Sequence, residues 1–414
     1  MNKAVWKITS AALAFLLIVL CPVRVMAKEA AVEDHCRAYI LVESETGQTL
    51  ADHCADDCMP MASLTKMMTL LILFEAIDAG TIKLTDEITI SRNAADIGGS
   101  QAFLDAGAQY PLDRLISSVI VGSANDSCVA IAEALAGSVE AFVLRMNERA
   151  QALGMTSTKF ANPTGLPAEE HYSTARDLAK LSQALVHFPL YFEYSTTWID
   201  QFEHPSGRQT MLANTNKLIR YGNGVDGIKT GFTNDAGFCL SASSERGGMR
   251  LIAVVLGGDS SKGRFNEAME LLEWGFANYE ILRLDAPPEE VSMNVSVRGA
   301  KAEQISVEPE MPFCLLIEKG EDAQLHHEVR LPDSVNAPLA KGQTLGEWVI
   351  FRGEEEVGNI PLSATESVEK AGFGDFVKKI IDLWYGSKTT KEQTAVDPAQ
   401  GEPGESAAPT QNAS

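Results

Sequence analysis

Three short stretches of this chain place a hydroxyl beside an amine or an amide in a way that suits acyl-transfer chemistry. The first is Ser63-Leu64-Thr65-Lys66, which opens a strongly apolar run ending near Ala79. On a helix, residues i and i+3 share a face, so the Lys66 amine reaches the Ser63 hydroxyl. The helix N-terminus adds a positive dipole and free backbone N–H groups beside the serine. A serine hydroxyl attacks only when a base takes its proton. An ordinary lysine is protonated at neutral pH, so Lys66 serves as that base only where its surroundings depress its pKa. By itself the pattern is weak: Ser367-Val368-Glu369-Lys370 repeats it, and a helix-capping serine is the commoner explanation. The second stretch is Ser123-Ala124-Asn125, in a turn between two helical patterns, and the third is Lys229-Thr230-Gly231, on a strand. Taken singly, Ser123 reads as a cap and Lys229 as a solvated strand residue.

Elements of two kinds must bring these stretches together. Ser63 to Ala79, Leu112 to Val121 and Asp126 to Ala136 carry apolar residues at helical spacing. Ala38 to Glu43 and Thr49 to Asp52 read as a hairpin turning at Glu45-Thr46-Gly47. Phe238 to Ser243 and Met249 to Leu256 read as another, joined by Gly247-Gly248. After Leu284-Asp285-Ala286-Pro287-Pro288 the character changes: Val291 to Val297, Phe313 to Glu318, His326 to Leu331 and Leu345 to Phe351 alternate with no helical stretch between them, a small all-β domain. Phe373 to Tyr385 is amphipathic at helical spacing, too short to span a bilayer and suited to its interface, with packing on the β-domain as the plainer reading. From Lys388 onward small and polar residues dominate, the composition of a disordered tail.

The order and spacing of the three motifs resemble the serine penicillin-recognising enzymes, which combine S-x-x-K, S-x-N and K-T-G. The resemblance extends through ASLTKMMT at Ala62, FANPTGL at Phe160, HYSTARDLA at His171 and VDGIKTGFTNDAG at Val225. Together they look like the low-molecular-mass D,D-carboxypeptidases, over roughly Arg37 to Tyr279. That resemblance implies an α+β fold: an antiparallel sheet flanked by helices, with a helical subdomain bearing Ser123 and with Ser63 at the N-terminus of a central helix. The implied domains are a signal peptide at 1–27, a catalytic domain at 28–282, a β-rich domain at 283–365, an amphipathic helix at 366–386 and a tail at 387–414.

The resemblance also implies roles. Ser63 attacks the penultimate D-alanine carbonyl of a peptidoglycan stem peptide ending in D-Ala-D-Ala and is acylated. Lys66 is the general base and Ser123 relays a proton to the leaving D-alanine, although either of the two could take the first proton. Asn125 orients Lys66 and the substrate amide. The backbone N–H groups of Ser63 and Phe232 form an oxyanion hole, each donor contributing about 3 kcal/mol in the transition state. Lys229, Thr230 and Gly231 bind the terminal carboxylate with help from Arg264. Two ammonium groups about 5 Å apart at an effective dielectric near 20 repel by about 3 kcal/mol, so Lys229 is expected to lower Lys66 towards 8, with burial acting the same way. Phe232 stands where some relatives carry a histidine, which bears on substrate preference or pH response.

Other readings fare less well. A class A β-lactamase shares the three motifs but needs an E-x-x-L-N loop, and none lies between Asn125 and Lys229; β-lactams are therefore expected as covalent inhibitors. A D,D-endopeptidase is the closer alternative. A wall-binding protein without activity would tolerate loss of a motif residue, and none is missing. No cofactor and no metal are expected, since His326-His327 lacks zinc-ligand spacing. Gly222 to Gly227 matches G-x-G-x-x-G without the following helix that a dinucleotide needs. His171 has no G-x-S-x-G partner motif and reads as a loop histidine with a local hydrogen bond.

Lys3 and Lys7, the apolar Ala11 to Leu20 and the small residues to Ala27 form the layout of a secretory signal peptide; Leu20 before Cys21 argues against a lipid anchor. Export, a place at the outer face of the cytoplasmic membrane and a bacterial source follow as expectations. Cleavage would remove Lys3, Lys7 and Arg24 and no acid from a chain of net charge −22, an acidity that argues against nucleic-acid binding. The six later cysteines are too sparse for a disulfide scaffold, but the first hairpin suggests a Cys36–Cys54 bridge, with Cys128 and Cys239 as buried thiols.

Overall fold

The computed structural model describes residues 35–221, 224–321, 323–375, 377 and 381. The expected signal peptide, most of the expected amphipathic helix and the expected tail lie outside them. The described residues divide into two compact units, those up to 282 with 314–321 and those of 283–313 with 323–381.

In the first unit a five-stranded antiparallel sheet runs in the order Thr49–His53, Ala38–Glu43, Met249–Gly258, Gly237–Arg246, Val225–Thr233. Its central strand is apolar on both faces because each face is covered. Ile252, Val254 and Leu256 join one core with Ile40, Leu71 and Phe74, while Leu251, Ala253 and Val255 join another with Phe265, Leu272 and Phe276. This is the period-two alternation of a strand between two helical layers. On the second face lies the helix Ser261–Asn278, capped by Ser260 Oγ, which accepts from Gly263 N–H at 2.9 Å. On the first lies Lys66–Asp78, buried from Lys66 through Phe74. A helix apolar all round is a core helix. Leu112–Val121, Asn125–Ala136 and Val139–Ala152 form the helical part around it. The hairpin from Gly237 turns at Gly247 and Gly248, with φ +59° and +81°, the left-handed pair that a two-residue hairpin turn requires.

Two expectations change. Ser63 does not begin the α-helix: it sits in a separate 3₁₀ turn, Ala62–Thr65, ahead of it. Cys36 and Cys54 are not bridged. The hairpin register sets Tyr39 opposite His53, with an irregularity between Leu41 and Val42, which carries Ala38 rather than Cys36 alongside Cys54.

The second unit is a six-stranded sheet in the order Leu325–Arg330, Thr344–Arg352, Glu355–Ala364, Gln304–Pro309, Asn294–Arg298, Ser334–Asn336. Trp348 is fully buried, and its indole N–H donates to His327 Nδ1 at 3.3 Å, so one of the paired histidines supports a core tryptophan. The strand Phe313–Glu318 pairs instead with Tyr279–Leu284, and its Leu316 packs into the second core of the first unit.

Candidate active site

The serine turn is shaped by its neighbours. Ala62 adopts φ +48°, a left-handed conformation costing a non-glycine residue about 1–2 kcal/mol. Thr65 Oγ1 holds it by donating to Ala62 O at 2.8 Å, and His171 Nε2 contacts Thr65 Oγ1 at 2.7 Å. His171 Nδ1 accepts from Ala161 N–H at 2.9 Å. Nδ1 is therefore the bare nitrogen, and Nε2 carries the proton it donates to Thr65. Burial and the charge of Lys66 lower the His171 pKa to about 4, which keeps the ring neutral. His171 is thus a strut of the serine turn, and its hydrogen bonds go to Thr65 and the backbone.

Lys66 is fully buried and donates to Ser63 Oγ at 2.9 Å and to Thr164 O at 2.5 Å. Burial lowers its pKa from 10.5 to about 8, against the opposing pull of Cys128 and Asp126. The value matches the expectation, but burial rather than the charge of Lys229 causes it. The Thr164 carbonyl is presented by a turn built on Asn162, whose Oδ1 accepts from the N–H groups of Thr164 and Gly165 at 3.0 and 2.7 Å. Gly165 has φ +88°, and a Cβ there would run into the Ala62 carbonyl and stand 2.9 Å from Ser63 N. Here the loop backbone lies directly on the serine turn, and only glycine fits.

Val225–Thr233 forms the open edge of the sheet. Its Gly231 passes so close to the serine turn that a Cβ would lie 3.0 Å from Met61 O and 3.1 Å from Ser63 N. The Ile228 carbonyl accepts from Tyr191 OH at 2.6 Å, and the Thr230 carbonyl from Lys229 Nζ at 3.3 Å. The next residue, Phe232, follows Gly231 past the serine turn on this edge strand. Beside it the first N–H groups of the serine turn have no carbonyl one turn earlier to bond. The Phe232 ring is half exposed and lies tilted against Phe238, with ring centroids 4.4 Å apart.

Lys229 is 1% exposed, and its pKa is pushed well below 10.5 by burial first and by Lys66 second. Thr230 Oγ1 donates to Thr215 Oγ1 at 2.7 Å. Arg264 donates through Nη1 to Gly231 O at 2.8 Å and Cys239 O at 3.1 Å, and its guanidinium lies over Phe238 and Phe265. Its Nη1 thus braces the backbone of the K-T-G strand. Ser123 is buried at φ +58°, and Asn125 starts its helix. Cys128, one turn further, carries a thiol whose pKa burial raises to about 11 while Lys66 and Lys229 pull it down, so the helix that Asn125 opens runs within electrostatic reach of both lysines.

Sequence reasoning did not assign Tyr191, Asn162 or Asn216, whose Nδ2 donates to Gly227 O at 2.9 Å. Asn-Pro in FANPTGL marks a turn, but nothing local links that turn to Lys66.

The fold and the site have the character of a serine acyl-transfer enzyme, with a buried lysine against the Ser63 hydroxyl. The family described as D-alanyl-D-alanine carboxypeptidase matches residues 24–260, and the C-terminal domain of penicillin-binding protein 5 matches residues 286–370. The chain is 37% identical to the D-alanyl-D-alanine carboxypeptidase DacF of Bacillus subtilis, covering 84% of this chain and 90% of that one. Penicillin-binding protein 5 from Haemophilus influenzae superposes with a TM-score of 0.67 at 33% identity, over 81% of this chain and 98% of that one. Penicillin-binding protein D2 from Listeria monocytogenes in its ampicillin-bound form gives 0.53 at 31% identity, over 58% and 98%. The chain belongs to the D-alanyl-D-alanine carboxypeptidase family of low-molecular-mass penicillin-binding proteins.

Proposed function

We propose that this chain removes the terminal D-alanine from peptidoglycan peptides through an acyl-enzyme on Ser63. The observation that carries the reading is the 2.9 Å contact between Lys66 Nζ and Ser63 Oγ, made by a lysine whose pKa falls to about 8. Neutral Lys66 takes the hydroxyl proton as Ser63 Oγ bonds to the penultimate D-alanine carbonyl carbon. The oxyanion is received by the N–H groups of Ser63 and Phe232. Ser123 relays the proton to the departing D-alanine nitrogen, and water then attacks the ester to free Ser63. Asn125 orients the substrate amide, and Lys229 with Thr230 receives the terminal carboxylate. A carboxylate there also raises the depressed pKa of Lys229 and favours its charged form. Arg264 supports that end by holding the Gly231 carbonyl.

β-Lactams present the same acyl chemistry, and the ampicillin-bound relative supports β-lactam binding by this chain, for which Ser63 is the nucleophile the reading offers. An exported enzyme held at a membrane surface fits the leader and the helical spacing of apolar residues in the sequence at 373–385; Phe373, Val377 and Ile381 are exposed.

The test is D-alanine release from a pentapeptide, beside cleavage of a cross-linked dimer to its monomers. Release from the pentapeptide by the wild type, absent in Ser63→Ala, is the expected result. Cleavage of the dimer alone would make the enzyme an endopeptidase, and release by Ser63→Ala would remove Ser63 as nucleophile.

A further inference from the structure

Asn125 is held at its backbone and at its side chain by one loop, and that loop is held in turn by the next residue along the chain. Asn125 N–H donates to Ser100 O at 2.7 Å, and Nδ2 donates to Gly98 O at 2.7 Å. A carbonyl only accepts, so Gly98 dictates which end of the carboxamide faces the loop, and Oδ1 is the end turned away. Gly99 between them has φ +82°, and a Cβ there would stand 2.6 Å from Asn125 Nδ2. The loop backbone is thus in contact with the amide it orients.

Asp126 is fully buried. Its Oδ1 accepts from the N–H groups of Ala102 and Ser127, and its Oδ2 from Leu104 N–H, all at 3.0 Å. Between the two clamped loop amides sits Phe103, at φ +64° with its side chain 56% exposed. A phenylalanine does not hold that conformation unaided; the carboxylate on either side of it does so.

We propose that Asp126 is a positioning residue for Asn125: its carboxylate pins the Ala102–Leu104 turn, and the pinned loop sets Gly98 and Ser100 where they fix the carboxamide for acylation of Ser63. The inference rests on the carboxypeptidase reading above. Asp126 has a second, separable influence, since its charge favours the ammonium form of Lys66. That influence moves the pH at which activity rises, whereas orientation of Asn125 sets the plateau.

A double-mutant cycle tests this on the full chain. The second-order rate constant for acylation by a fluorescent penicillin is measured at the pH plateau for wild type, Asp126→Asn, Asn125→Ala and the double variant, with Tm recorded for each. Asp126→Asn keeps one acceptor but turns an NH₂ group towards a donor. It is expected to slow acylation about ten-fold when Asn125 is present and less than about two-fold in Asn125→Ala. An equal loss in both backgrounds, or no loss in either, overturns the proposal. Asp126→Glu, which keeps the charge but displaces the carboxylate by a methylene, is run through the same cycle. If neither variant folds, the carboxylate serves the fold rather than Asn125, and the proposal fails. A wild type that is not acylated at Ser63 would refute the parent reading instead.

Discussion

Lys66 illustrates how a residue's chemistry is set by where its helix runs. Its side chain emerges one turn after Ser63 into a fully buried space, and desolvation disfavours the ammonium form there. As a base it works only when neutral, so acylation should rise with pH through a limb near the pKa of about 8. A penicillin acylation profile flat from pH 6 to 9 would contradict that role. The same shift has a stability consequence. The folded-state pKa lies below the unfolded one, so the unfolded chain binds more protons between pH 8 and 10.5, and stability rises with pH across that window. Comparing wild type with Lys66→Met by denaturant unfolding, the difference should move in favour of wild type by about 3 kcal/mol between pH 8 and 10.5. Tyr191 acts at the same scale: its buried hydroxyl satisfies Ile228 O at 2.6 Å. Tyr191→Phe should cost about 1–3 kcal/mol and also slow acylation, because the strand edge beside Ser63 loses a tether.

At the scale of elements, the site is a junction of a serine turn, the Asn162 turn and an edge strand. Gly165→Ala would place a methyl against the Ala62 carbonyl in a left-handed conformation. Since a displacement of about 1 Å can cost about 100-fold in rate, acylation by this variant should fall by at least ten-fold, together with a lower Tm. Normal kinetics would show that the loop yields without moving Ser63. Much of this junction was legible beforehand. The helices follow from apolar periodicity, and the three motifs, each weak by itself, were legible through their resemblance to the serine penicillin-recognising enzymes. The Gly247-Gly248 hairpin follows from turn chemistry. What escaped was long-range: His171 supports Thr65 across 106 residues and Thr164 O meets Lys66 across 98, and no local pattern encodes such pairings. Arg264 was legible as a cation near the strand, but its bonds to Gly231 O and Cys239 O depend on the packing of two sheet strands against a helix. The interior strand Glu355–Ala364 was missed because its acidic opening, Gly358 and Pro361 obscure the alternation that marked its neighbours.

For the whole molecule, the chain's turn of character near Asp285 is not a clean cut. Strand Phe313–Glu318 returns to the first unit, Leu316 is 4% exposed in its second core, and Lys319 Nζ donates to Phe276 O at 2.6 Å. A chain ending at residue 284 should therefore lose stability even though every motif residue remains. Burying one leucine contributes about 1.5–3 kcal/mol, which corresponds to a fall of about 3–12 °C in Tm for a unit of this size. Its acylation rate at 25 °C should stay near that of the full chain; unchanged Tm would show the returning strand to be dispensable. The central claim, that Ser63 is a nucleophile activated by Lys66, is met most directly by intact-mass analysis of the purified protein with and without benzylpenicillin, beside Ser63→Ala. The structure predicts a stable adduct of one penicillin per chain that disappears in Ser63→Ala and forms far more slowly in Lys66→Met. An adduct that persists in Ser63→Ala, or rapid penicillin hydrolysis with no adduct in the wild type, would contradict it.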